Sequence, residues 1–179
     1  MIRKKLSYAI AGLASGLIEN NEYPELLPAM FGWTKSPLAS LRESALAIFN
    51  QLATFLLDKG LAPYLQPLKA IFSACLADRE SKKVRIAAIE ATSSVVLVLE
   101  TKNHKHMFQE LVPNILQALA ASLNEVDIDG AATGIECLID IAEGQPDFFR
   151  PHISNVIMAM YTIASTANLD DNILFFFLS

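Results

Sequence analysis

The sequence predicts an all-α solenoid of stacked antiparallel helix pairs, about four repeats long. Three observations carry this. Prolines recur at Pro28, Pro67, Pro113 and Pro151, separated by 39, 46 and 38 residues, each near the front of a helical pattern. Hydrophobic anchors recur at Ile2, Leu41, Val84 and Ile128, separated by 39, 43 and 44 residues. No stretch shows the strict apolar–polar alternation of a half-buried strand, and Gly and Pro number only 7 and 8 in 179 residues.

From each anchor the positions at +4, +7 and +11 are small or apolar and trace one helical stripe. The sets are Leu6, Ala9, Leu13; Ala45, Ile48, Leu52; Ala88, Ala91, Val95; and Ala132, Ile135, Ile139. Each unit therefore pairs a first helix carrying the proline with a second helix carrying the anchor. First helices are expected over 24–35, 61–78, 104–123 and 148–168, and second helices over 2–19, 37–58, 81–100 and 126–144. The breaks "KSP", "DKGLAP", "TKNHK" and "EGQPD" supply turn and cap residues, and Ser36 before Pro37 reads as a helix cap followed by a first-turn proline. The expected organisation is one array over 1–169, with a partial repeat at 1–20, full repeats at 23–58, 61–100 and 104–144, and a partial repeat at 147–169. Residues 170–179 form an atypical tail: "ILFFFLS" lacks the amphipathic pattern of a further second helix. The chain reads as a truncated array whose C-terminal edge exposes apolar surface.

Stacking also accounts for the composition. Hydrophobic residues make up 53% and charged residues 18%, which excludes disorder. The stretch Pro151 to Leu169 lacks Asp, Glu, Lys and Arg, but its His, Asn, Ser and Thr residues fit a buried helix better than a membrane span of about 20 apolar residues. The start, "MIRKKLSYAIAGLASGLIENN", resembles a signal peptide in charge order, yet Leu6, Ile10, Leu13 and Leu17 keep amphipathic spacing, so a structural helix is expected. Cys75 and Cys137 lie mid-pattern and read as buried thiols rather than a disulfide.

Catalysis finds no support. No nucleophile motif or phosphate loop occurs, and His104, His106 and Glu110 lack further ligands for zinc, so no enzyme, cofactor or metal is expected. Arg3-Lys4-Lys5 and Lys82, Lys83, Arg85 lack interleaved aromatics, so nucleic acid is not an expected partner. Trp33 reads as a core filler.

Charge is divided along the chain. Residues 125–179 hold nine Asp or Glu and a single Arg150, whereas residues 1–124 hold 13 Lys or Arg and 10 Asp or Glu. On the second helix of the fourth unit, Asp129, Glu136, Asp140 and Glu143 project within about 60° of one another at 100° per residue. Their counterparts in the other second helices are packing residues: Ala14, Ala53 and Val96 for Asp140, and Leu17, Leu56 and Leu99 for Glu143. Like charges one turn apart weaken a helix slightly, and a basic partner would relieve this. The four form a candidate protein-binding stripe.

Units of about 40–47 residues have the period of HEAT and armadillo repeats. Pro67-Leu68 through Leu76-Ala77-Asp78, followed by Val84-Arg85-Ile86-Ala87-Ala88, matches the HEAT motif. Arg42 and Arg85 follow their anchors and are expected to reach carboxylates such as Asp78 between repeats; the last copy has Asp129 there instead. With the four prolines, these form the expected repeat-stacking set. At greater length, "IRKKLSYAIAGLASGLI", "SPLASLRESALAIFNQL" and "LIDIAEGQPDFFRPHI" resemble the N-terminal repeats of the importin-β (karyopherin-β) superfamily, most of all the branch that imports ribosomal proteins and histones. The resemblance covers roughly residues 2–171. It implies a non-enzymatic receptor shuttling between cytoplasm and nucleus through the nuclear pore. It implies binding of the small GTPase Ran in its GTP form, of basic cargo on an acidic inner surface, and of nuclear pore phenylalanine-glycine repeats in first-helix grooves. The competing expectation is a HEAT scaffold subunit of a phosphatase or chromatin-assembly complex, without GTPase binding.

Overall fold

The computed structural model describes residues 9–13, 25–58 and 62–165, and every regular element among them is helical. The anchor Ile2, the basic cluster Arg3-Lys4-Lys5, Leu17, Gly60 and the "ILFFFLS" tail lie outside the described residues. Residues 9–13 are helical. They are followed by α1 (Leu26–Trp33), α2 (Ala39–Asp58), α3 (Leu65–Leu76), α4 (Lys82–Val98), α5 (Lys102–Gln109), α6 (Val112–Asn124), α7 (Ile128–Gly144) and α8 (Ile153–Ser165). Short 3₁₀ turns at Ala62–Tyr64 and Arg150–His152 precede α3 and α8. None of these helices is long and apolar enough to cross a membrane.

The helices form two layers. In one, α2 packs on α4 and α4 on α7; in the other, α3 meets α6 and α6 meets α8. Each unit closes across the layers through α1 on α2, α3 on α4 and α6 on α7. This is the HEAT arrangement, in which each unit buries its apolar faces only by stacking on its neighbours. Alanines make the second layer tight: Ala45, Ala88 and Ala91 are fully buried, and small side chains let the backbones approach. The central helix α4 has neighbours on both sides, so ten of its 17 residues are buried.

The prolines decide where the first helices begin. Pro28 and Pro67 are the third residues of α1 and α3, Pro113 is the second of α6, and Pro151 sits in the 3₁₀ turn ahead of α8. In a first turn the missing N–H has no intrahelical acceptor to lose. All four are exposed, so they set helix starts and are not buried between units. The continuous helix expected over 104–123 is corrected by Pro113: the chain breaks at Glu110 and Leu111, giving α5 and α6. Pro113 could not donate to Gln109 and would clash there. Likewise α2 starts at Ala39, after Pro37, and Ser36 Oγ accepts from Leu38 N at 3.1 Å instead of capping the helix. Serine and threonine caps do start α4 and α5: Ser81 Oγ accepts from Val84 N and Thr101 Oγ1 from His104 N, both at 3.4 Å.

Between units the arginines form a ladder. Arg42 Nε donates to Asp78 Oδ2 at 2.9 Å, its second terminal nitrogen reaches Glu80, and its first donates to the Ser36 carbonyl at 2.8 Å. Arg85 also reaches a carboxylate between repeats, though not that of Asp78. It donates to Glu125 Oε1 at 2.6 Å, one unit further on, and meets Asp78 only through the backbone carbonyl at 3.0 Å. Each arginine thus ties its second helix to the turn entering the next one. Trp33 is half-buried against the core.

The turn from α6 into α7 carries a strained residue. Val126 N donates to Leu123 O at 3.1 Å and Asp127 N to Ser122 O at 2.9 Å, the hydrogen-bond pair of a Schellman motif. Its left-handed position holds Val126, at φ 56°, where glycine is the usual occupant and a β-branched residue is costly. Val126→Gly is expected to stabilise the fold by about 1 kcal/mol, net of glycine's greater unfolded-state freedom. Chemical denaturation of the two proteins checks this; an unchanged or lowered midpoint contradicts it.

Both cysteines are buried. Burial pushes the Cys75 thiol up to about 11, with Asp78 adding to the effect. Burial likewise pushes Cys137 up to about 12, with Glu90 adding to it. The thiolate is the reactive form, so neither thiol is expected to react with a disulfide reagent near pH 8 until denaturant restores a pKa of about 8.5. Titration with and without guanidinium checks this.

Candidate protein-binding groove

The structure gathers acidic residues from the second helices α2, α4 and α7. Between α2, α4 and α7 runs a groove of about 340 Å³, lined by Glu43 of α2, Lys82, Lys83 and Glu90 of α4, Asp127 of the preceding turn, and Asp129 and Thr133 of α7. A second groove of about 240 Å³ shares Glu90 and Thr133 and continues to Asn50, Ser94, Glu136 and Asp140. Together they hold six carboxylates against two lysines.

Of the four residues singled out in the sequence, Asp129, Glu136 and Asp140 line this surface, and all four are exposed. Glu143 does not line either groove. No ion pair within the described chain engages any of the four, whereas Asp78, Glu80, Glu110, Glu125, Asp127 and Asp147 each have a cationic partner. The counterparts of Asp140 and Glu143 in the preceding unit, Val96 of α4 and Leu99 just past its end, are buried. A carboxylate face left without internal counterions attracts cations. The second groove also has neutral polar residues in its lining: Ser94 Oγ donates to Asn50 Oδ1 across the α2–α4 contact, and Ser93 Oγ donates to the Cys137 carbonyl at 3.3 Å.

Sequence reasoning missed Glu43, Glu90, Asp127 and Asn50. Their offsets from the anchors differ, so no stripe on one helix gathers them; lateral stacking does. Lys82 and Lys83, considered in the sequence only as nucleic-acid contacts, also line the groove.

In the other layer, a groove of about 290 Å³ lies between α1 and α3, lined by Phe31, Thr34, Lys35, Pro67, Ala70, Ile71, Ala74 and Cys75. Phe31, not Trp33, supplies its aromatic wall, stacking on Phe49 at 5.7 Å.

The family described as IPO5-like, TPR repeats matches residues 1–159. The chain belongs to this importin-5-like family. The helix pair is common to TPR and HEAT repeats, but the spacings of 38–46 residues measured above exceed the 34 of a TPR unit. A probable importin-5 homolog of Dictyostelium discoideum is 25% identical over 171 residues, which are 95% of this chain and 16% of that protein. Importin subunit beta-3 of Saccharomyces cerevisiae is 27% identical over 169 residues, 94% of this chain and 15% of that one. Among solved structures, Kap121p bound to Nup53p superposes with a TM-score of 0.69 at 25% identity, covering 84% of this chain and 14% of Kap121p. The karyopherin Kap121p bound to the SUMO protease Ulp1p gives the same values. This importin-5-like chain therefore spans about a sixth of the length of the curated relatives it matches. It is an importin-β-superfamily HEAT scaffold.

Proposed function

We propose that this chain is the part of a nuclear import receptor that binds Ran in its GTP form and basic cargo segments, shuttling between cytoplasm and nucleus. The carrying observation is the shared groove, where carboxylates of three successive units meet with few internal counterions. Such a surface selects lysine- and arginine-rich segments by charge and speeds their encounter. The half-buried Asn50, Ser94 and Thr133 side chains supply neutral hydrogen-bonding groups for the main chain of an extended ligand. The groove between α1 and α3 is the seat proposed for nuclear pore phenylalanine-glycine repeats, because apolar side chains, Phe31 and Ile71 among them, line it. Nothing in this reading requires a bond to be made or broken; the chain works as a binding scaffold.

Two measurements test it. Immobilised chain is expected to capture Ran loaded with GTP and not with GDP; equal or absent capture overturns the Ran assignment. Glu136→Gln with Asp140→Asn is expected to weaken binding of a lysine-rich peptide about 3- to 10-fold, at about 1 kcal/mol or less per exposed pair. The salt dependence should flatten as well. Unchanged affinity rules out the groove as the basic-segment site.

A further inference from the structure

The last described unit is open on one side. In α8, Ile153 and Ile157 are 48% and 59% exposed, and Met158 and Tyr161 are exposed beside them. Counted from the proline, their counterparts in α6 are Ile115 and Leu119, two and six residues after Pro113, and each is 1% exposed. The second helix of the same unit covers Leu119: a Cβ at Gly134 of α7 would lie 3.2 Å from Leu119 Cδ1. Among the described residues, α8 therefore lacks the cover that comes next in sequence. The other layer shows the same gap. Ala132 and Ile139 of α7 are half-buried, whereas Ala45 and Leu52 of α2, and Ala88 and Val95 of α4, are buried. Each of those two helices has the second helix of a following unit against it.

An occupant of this place would touch α8 and α7 at once, as α4 touches α3 and α2, and α7 touches α6 and α4. The chain supplies one of matching chemistry. After α8 come seven residues, 166–172, of which four are Asp or Asn, common in turns. Then follow Ile173, Leu174, Phe175, Phe176, Phe177 and Leu178 without interruption. Ile173 lies 45 residues after Ile128, continuing the anchor separations of 39, 43 and 44. Seven extended residues reach up to about 23 Å, and Ile157 and Ile153 lie about 12 and 18 Å back along α8 from Ser165. Residues 151–165 contain no Asp, Glu, Lys or Arg, so the α8 wall asks for an apolar occupant. A run apolar on every side suits a place with two such walls better than one with a single wall. We infer that residues 173–178 dock between the exposed face of α8 and the half-buried stripe of α7. Their docking keeps this edge from associating with other copies of the chain.

The test uses the full chain, whose native Cys75 and Cys137 are buried. Ile157→Cys is combined in turn with Phe175→Cys, Phe176→Cys and Phe177→Cys. At low protein concentration, mild oxidation is expected to link at least one of these pairs within a single chain. That link should form about 10-fold faster than the link from the same position to Asn155→Cys. Asn155 is also exposed but projects about 160° away around α8. Peptide mapping without reductant reads the links, and gel filtration separates those within a chain from those between chains. Hydrogen exchange gives a second reading. Phe175→Ser, Phe176→Ser and Phe177→Ser together are expected to speed exchange in α8 about 10-fold or more, with α2 and α4 unchanged. The same variant is expected to sediment as larger species than wild type. Equal linking rates to the two α8 positions, no link at all, or α8 exchange unmoved by the serines overturns the docking. Links only between chains overturn it in favour of a second copy as the occupant. A serine variant as monomeric as wild type overturns the protective role.

Discussion

Phe72→Ala is expected to destabilise the chain by about 3–5 kcal/mol, the range for emptying a fully buried phenylalanine site. Phe72 is completely enclosed and stands in the middle of an aromatic row crossing three units. Phe31 stacks on Phe49 at 5.7 Å, Phe49 meets Phe72 edge-on at 6.3 Å, and Phe72 meets Phe108 edge-on at 6.4 Å. Edge-on pairs contribute about 0.5–1.5 kcal/mol beyond their buried area, and truncation at Phe72 removes two of them. In a stacked array, stability is a sum of unit and interface terms, so weakening this interface should also broaden or split the unfolding transition. Phe72→Leu, which keeps most of the volume, should cost about half as much or less. Denaturant unfolding followed by circular dichroism decides the matter; a loss below about 1 kcal/mol would show that the row is not a core element.

The second large effect is expected at Asp78. Its side chain is 9% exposed and its Arg42 partner 10%. One oxygen accepts from Arg42, and the other from Glu80 N at 3.0 Å and Ser81 N at 2.9 Å. The carboxylate therefore holds the turn into α4 and ties α2 to it at once. Asp78→Ala strands a buried guanidinium with only Glu80 and two carbonyls and leaves two turn N–H groups without this acceptor, at a cost of about 3 kcal/mol. Glu125 pairs with the corresponding arginine of the next unit but is 47% exposed, so Glu125→Ala should cost about 1 kcal/mol or less. Replacing Arg42 and Asp78 together by leucine should recover much of the loss, because most of it is the penalty of one unpaired buried charge. Equal effects at Asp78 and Glu125 would contradict this account.

The contrast between these two arginine partners shows where sequence reasoning ends. Arg42 and Arg85 occupy the same place in their repeats, and both are buried. Yet one finds an enclosed aspartate and the other a half-exposed glutamate, because the turns after α3 and α6 differ in path. Val126 is a part of that difference: nothing about a valine in sequence announces a left-handed residue, and the hydrogen bonds of the turn impose it.

The prolines, anchors and carboxylates, read alone, pointed to the helix-pair repeat, its period and the acidic face of α7. Those are local properties: a proline excludes itself from helix interiors, and an apolar stripe must be buried whatever lies opposite. Only the tertiary structure decided that Glu43, Glu90 and Asp127 join Asp129, Glu136 and Asp140 on one grooved surface, that Glu143 stands outside it, and that Lys82 and Lys83 line it. Such groupings depend on the rotation and offset with which one helix stacks on the next, and that is settled by the packing of Ala45, Ala88, Ala91 and their neighbours across the layer.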